Sequence, residues 1–129
     1  MTASPRARYL ADSVATASPA RLLVMLYDRL VLDLAQAEEA LRAGDRDTGS
    51  TRLDHAQDIL IELRATLDVD AWDAAAGLAA LYGFLITELV RATIRGDADI
   101  VASCKGLVEP LRDAWRTAAA SLTTAALAA

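Results

Sequence analysis

The stretch TASPARLLVMLYDRLVLDL, from Thr16 to Leu34, decides the fold. Ser18 can act as an N-cap, its hydroxyl accepting a first-turn backbone N–H, and Pro19 suits the first helical position, where its missing N–H costs nothing. Leu23, Leu26, Leu30, Leu34, Ala37 and Leu41 then follow at alternating three- and four-residue steps, one stripe of a helix running from Pro19 to about Ala43. The thirteen residues from Leu22 to Leu34 hold only three charges, Asp28, Arg29 and Asp33. A helix on the surface of a small bundle needs a wider polar face than that. The stretch therefore predicts a helix and raises the question of what its surplus Leu, Val, Met and Tyr cover.

Downstream, the same periodicity recurs three times. AGDRDTGS interrupts the first helix, with Gly44 placed to end it and Asp45, Asp47 or Ser50 to cap the next. A second helix is expected over about 51–67, on the heptad seam Leu53, Ala56, Leu60, Leu63 and Leu67. A third is expected over about 73–95, with the stripe Leu78, Leu81, Tyr82, Leu85 and Leu89, ended by Gly96. Asp97 caps a fourth over about 98–122, with the stripe Ile100, Cys104, Leu107, Leu111, Trp115, Ala118 and Leu122. Pro110 lies inside that pattern, so the fourth helix either kinks there or ends and restarts. Connections this short make neighbours antiparallel, and the expected architecture is all-α, an antiparallel up-down four-helix bundle over 19–129 behind a short N-terminal arm, 1–18. One internal echo stands out: L-x-x-L-Y-x-x-L-x-x-x-L-x-x-A fits Leu23 to Ala37 and again Leu78 to Ala92. Two helices running the same way through the same bundle layers explain it more simply than a duplication does, because helices two and four match poorly.

Bulk properties narrow the function. The chain of 129 residues is one domain, able to bury roughly two-thirds of its unfolded surface. At 54% hydrophobic and 24% charged residues it is globular rather than disordered. A net charge of −5 with a sequence pI near 4.7 argues against nucleic acid, which calls for a concentrated basic face. The single cysteine, Cys104, fits a reducing cytosol and forms no internal disulfide. MTASPRARYLADS has no apolar core of signal-peptide length, and the uncharged stretch from Ala74 to Thr87 is too short to span a bilayer. The expectation is a soluble, cytoplasmic protein without membrane insertion.

Constellations for chemistry fail one by one. His55 is the only histidine, and no Glu stands three residues before it, so a di-iron site is out of reach. One Cys and one His on different helices do not make a zinc site, and there is no glycine-rich phosphate loop. The carboxylates pair with arginines at helical spacing (Glu38 with Arg42, Glu88 with Arg91, Asp113 with Arg116) and read as solvated faces. No catalytic residue, metal or cofactor is expected. A phosphotransfer bundle using His55 is the rival reading, but such domains follow the histidine with a lysine and a glycine, and HAQDILIEL has neither. Cys104 sits on a seam and reads as a packed thiol.

What remains is apolar surplus. Leu22, Val24, Met25, Tyr27, Val31 and Leu32 surround the first seam; Ile59 and Ile61 flank the second; Phe84, Ile86, Val90 and Ile94 flank the third. Such a surface suits a partner helix or an extended apolar peptide, with Met25 as an adaptable contact, and it also suits a homodimer interface. Leu22, Met25, Tyr27, Ile61, Phe84 and Ile86 are the candidate partner-facing residues, and Tyr82 is placed with them.

Several stretches together resemble one family. YLADSVATASPARLLVMLYDRLVLDLAQAEEAL is similar to the opening of the flagellar secretion chaperones that bind flagellin, and the similarity continues through HAQDILIELRATLD, LYGFLITELVRATIRGD and LRDAW, from about Tyr9 to Thr117. The resemblance implies a four-helix bundle in the bacterial cytoplasm that holds the disordered C-terminal segment of flagellin, prevents premature polymerisation, and delivers the subunit to the flagellar type III export gate, with no turnover. It further implies that the arm lies over part of the flagellin site through Tyr9, with Leu10 beside it. The chain departs from the family pattern at Arg6, where a second aromatic is usual, and at Arg29, Gly83, Thr93 and Pro110.

Overall fold

A computed structural model describes residues 18–128, with side chains to residue 122. The expected arm, including Tyr9 and Leu10, lies almost wholly outside the described residues. Four helices follow: α1 (Pro19–Arg42), α2 (Arg46–Thr66), α3 (Ala75–Arg95) and α4 (Ala98–Ala128), with no strand among the described residues.

Local chemistry sets most boundaries. Ser18 caps α1, its Oγ accepting the Arg21 N–H at 3.1 Å, and Pro19 occupies the first turn. Gly44 takes a left-handed φ of +80°, which frees the chain to turn. Asp45 then caps α2 by accepting the Thr48 N–H at 3.1 Å, so the helix begins five residues before the expected Thr51. This early start brings Gly49 against Leu41, where an added Cβ would meet Leu41 Cδ2 at 2.6 Å. The polar run that reads as a loop is thus the first turn of a helix, packed closely on the end of α1. Gly96 ends α3 at φ +62°, and the Asp97 carboxylate caps α4 through the N–H groups of Asp99 and Ile100. Helix α4 runs unbroken through Pro110, which excludes the end-and-restart reading, and it continues past the expected end at 122.

The helices close a ring in which α1 packs on α2 and α4, and α3 completes the other side. Ion pairs show the directions. Asp28 meets Arg116, Glu38 meets Lys105 and Arg42 meets Asp99, so α4 descends as α1 rises. Arg46 at the start of α2 donates to the Thr93 and Ile94 carbonyls at the end of α3. The bundle is antiparallel and up-down, as expected.

Its core follows the heptad seams of α1, α2 and α3: Leu30, Leu34 and Ala37; Leu53, Ala56, Leu60 and Leu63; Leu85, Leu89 and Ala92. Each fully buried leucine contributes about 1.5–3 kcal/mol relative to exposure. The α4 seam differs from expectation, because Val101, Cys104 and Val108 are buried while Leu107, Ala118 and Leu122 face outward. Its step from Cys104 is four residues where three were expected, which rotates Leu107 onto the surface.

Candidate functional site

The surplus apolar side chains divide by helix. On α1 the broad packing against two neighbours absorbs most of them: Leu23, Leu26 and Val31 pack on the core, and Leu22 and Val24 are half-buried. Only Met25 and Leu32 stay exposed there, among Arg21, Asp28, Arg29, Glu39 and Arg42.

Tyr27 and Tyr82 do not lie on the rim, a correction to the expected partner-facing set. Tyr27 is 0% and Tyr82 2% exposed, and their hydroxyls share a 2.6 Å hydrogen bond across the core between α1 and α3. The two hydroxyls satisfy each other, which is what lets both rings be buried. Burial pushes the Tyr27 hydroxyl above its ordinary pKa, and burial together with the bond to Tyr27 raises Tyr82 further. Trp115 stacks obliquely on Tyr27 at 6.4 Å between ring centroids, and Trp72 meets Trp115 edge-on at the same separation.

Helix α3 has the opposite balance. Of its 21 residues only Glu88, Arg91 and Arg95 are charged, and its outer side carries Ala76, Ala80, Phe84, Val90 and Ile94. Phe84 is 52% and Ile94 72% exposed. By length and composition α3 is apolar enough to cross a membrane, with a mean hydropathy of 1.4, although the shorter uncharged stretch at its start had argued against any span. Its inner side chains Tyr82, Leu85, Leu89 and Ala92 are buried in the core, while Phe84, Val90 and Ile94 are exposed. Ile61 on α2 and Leu107 on α4, each 45% exposed, stand on the two neighbouring helices. Ile86, by contrast, is half-buried and packs on the core. Of the expected residues, Ile61 and Phe84 therefore belong to an exposed band centred on α3; Val90, Ile94 and Leu107 extend it. Val90 and Ile94 were visible as surplus, whereas Leu107 was hidden by its assignment to the α4 seam.

A groove of about 280 Å³ with mixed polar and apolar walls lies between the start of α1 and the end of α4, lined by Val24, Met25, Ala119 and Ala120 together with Ser18, Arg21, Asp28 and Arg116.

The groups with catalytic potential are all engaged in packing. His55 is half-exposed, and its Nδ1 lies 3.1 Å from Oδ2 of the fully buried Asp33. Arg29 and Arg52 approach the other Asp33 oxygen at 3.5 and 3.7 Å. The buried carboxylate is thus compensated by three cationic or hydrogen-bonding side chains whose outer parts reach water. Burial and the charge of Glu88 push the Cys104 thiol up to about 11, against a smaller opposing effect of Arg91, so it stays protonated and packed. No group of three metal-ligating side chains occurs among the described residues.

Comparison with known proteins places the chain in a family. A profile of the family "Flagellar protein FliS" matches residues 1–122. A flagellar secretion chaperone FliS of Bacillus subtilis (strain 168) is 33% identical over 115 residues, covering 89% of this chain and 86% of the relative. Its counterpart in Salmonella typhimurium is 32% identical over 107 residues, with 81% and 79% covered. A crystal structure of a bacterial flagellar chaperone superposes with a TM-score of 0.74 at 21% identity, over 88% of this chain and 94% of that one.

Proposed function

The chain belongs to the flagellar protein FliS family and is a flagellar export chaperone rather than an enzyme; on that premise we propose that it holds the C-terminal segment of flagellin in the cytoplasm and prevents its premature polymerisation. The observation that supports this reading is the exposed apolar band of Ile61, Phe84, Val90, Ile94 and Leu107 across α2, α3 and α4. A segment that is unstructured alone can fold as it spreads over such a band, its ordering entropy offset by apolar burial. The inner stripe of α3 is committed to the core through Tyr82, Leu85, Leu89 and Ala92, so its outer face suits a protein segment rather than lipid.

The mechanism is stoichiometric binding. While the flagellin tail lies on the bundle it cannot pair with other subunits, and delivery to the flagellar type III export gate requires only that it be released there. Tyr9 and Leu10, outside the described residues, are proposed to add contacts to the client. A second copy occupying the same band would give a homodimer in the absence of client. Calorimetric titration of the full chain with the flagellin C-terminal segment should give saturable one-to-one binding with a negative heat-capacity change. If flagellin lacking that segment binds equally well, the proposal fails.

A further inference from the structure

Polar ties between helices are distributed very unevenly. Helix α1 is joined to α4 by the Asp28–Arg116, Glu38–Lys105 and Arg42–Asp99 pairs, and to α2 by the cluster around Asp33. Among the described residues no ion pair joins α3 to another helix: Glu88 and Arg91 pair with each other at 2.6 Å. Its two polar ties among the described residues are the Tyr27–Tyr82 hydrogen bond and the Arg46 guanidinium on its last carbonyls. The start of α3 is also weak, because Ala74 stands at the N-cap with no side chain to accept the orphan N–H groups. Helix α3 moreover packs less extensively on α2 and α4 than α1 does.

We infer that α3 is a separately yielding element, which leaves an intact α1–α2–α4 scaffold when it opens from its uncapped start toward its Arg46-held end. Opening of this kind is expected where few contacts and few polar ties hold an element. The helix with more exposed large apolar side chains than any other is then also the one whose inner face can be uncovered without unfolding the rest. This conclusion rests on packing and polar ties alone and stands whichever partner the outer face binds.

Native-state hydrogen exchange on the full chain tests it. The comparison is between the buried amides of Leu85 and Leu89 in α3 and those of Leu30 and Leu34 in α1, which occupy equivalent places in the repeated pattern. The α3 amides should show protection at least about tenfold lower, and their exchange should depend only weakly on added urea, because opening one helix exposes little surface. Equal protection with the same steep urea dependence at all four amides would mean that they exchange only by global unfolding, and would overturn the inference.

Discussion

Helices α1 and α3 carry the same pattern on their inner faces and opposite chemistry on their outer ones. Leu30 corresponds to Leu85, Leu34 to Leu89 and Ala37 to Ala92, and all six are buried in one core. The corresponding tyrosines meet hydroxyl to hydroxyl, so the echo in the sequence is two helices meeting the same layers from opposite sides. Outside, α1 is charged and tied to both neighbours, while α3 is nearly uncharged and bare. A shared core stripe therefore determines where a helix sits and leaves its outer face open to a different task. In this molecule α1 is the scaffold and α3 the surface.

The sharpest way to break that division is to cut matched core residues. Leu30→Ala should cost about 3–5 kcal/mol in urea unfolding, because α1 is held on two sides and the cavity cannot collapse. Leu85→Ala should cost less, about 2–3 kcal/mol, because α3 can settle into the space. Equal losses would show that both helices are held equally firmly.

The next comparison concerns the outer faces. Phe84→Glu should weaken binding of the flagellin segment at least about tenfold, roughly 1.4 kcal/mol, while leaving the melting temperature nearly unchanged, since the ring is half in water already. Leu32→Glu on α1 removes a similarly exposed apolar residue from a charged face and should leave affinity unchanged. If both substitutions weaken binding alike, the client surface is not centred on α3.

Much of this arrangement was legible in the sequence, for stated physical reasons. Three- and four-residue steps located the seams of α1, α2 and α3, and Ser18, Gly44, Gly96 and Asp97 marked ends through their own backbone chemistry. The start of α2 was legible only in part: Asp45 was one of three caps on offer, but DRDTGS has loop composition and becomes helical through the Asp45 cap and the close approach of Gly49 to Leu41. Periodicity also could not say how much circumference each helix buries. It made α1 look over-supplied with apolar residues, whereas packing against two neighbours absorbs them and leaves the excess on α3. Tyr27 and Tyr82 were misplaced for a related reason. A tyrosine belongs on the rim unless its hydroxyl finds a partner, and the partner here lies 55 residues away.

That partnership supplies the third prediction. Tyr27→Phe or Tyr82→Phe alone leaves one buried hydroxyl without its partner and should cost about 1–2 kcal/mol, while the double substitution should cost clearly less than the sum. The same pair should make the wild type sensitive to alkali. Both hydroxyls have raised pKa values in the folded state, so the folded protein keeps protons that the unfolded chain loses above about pH 10. Stability from this source is complete below that value and falls as pH rises beyond it. Thermal melts between pH 9 and 11 should therefore drop more steeply for the wild type than for the double variant; parallel curves would refute the assignment.

The smallest effect sharpens the contrast between tied and untied helices. Asp28 and Arg116 form a 2.7 Å pair between α1 and α4, with both side chains about half exposed. Water screens such a pair, and holding two side chains in one geometry opposes the attraction, so a double-mutant cycle should give a coupling of only about 0.2–1 kcal/mol. The firmness of α1 then cannot come from any one ion pair. It comes from apolar packing on two sides, with Asp28–Arg116, Glu38–Lys105 and Arg42–Asp99 fixing its register against α4. Removing the Asp28–Arg116 pair should therefore leave hydrogen exchange at Leu85 and Leu89 unchanged. A coupling well above 1 kcal/mol, or faster exchange in α3, would mean that the polar latch and not the packing separates scaffold from surface.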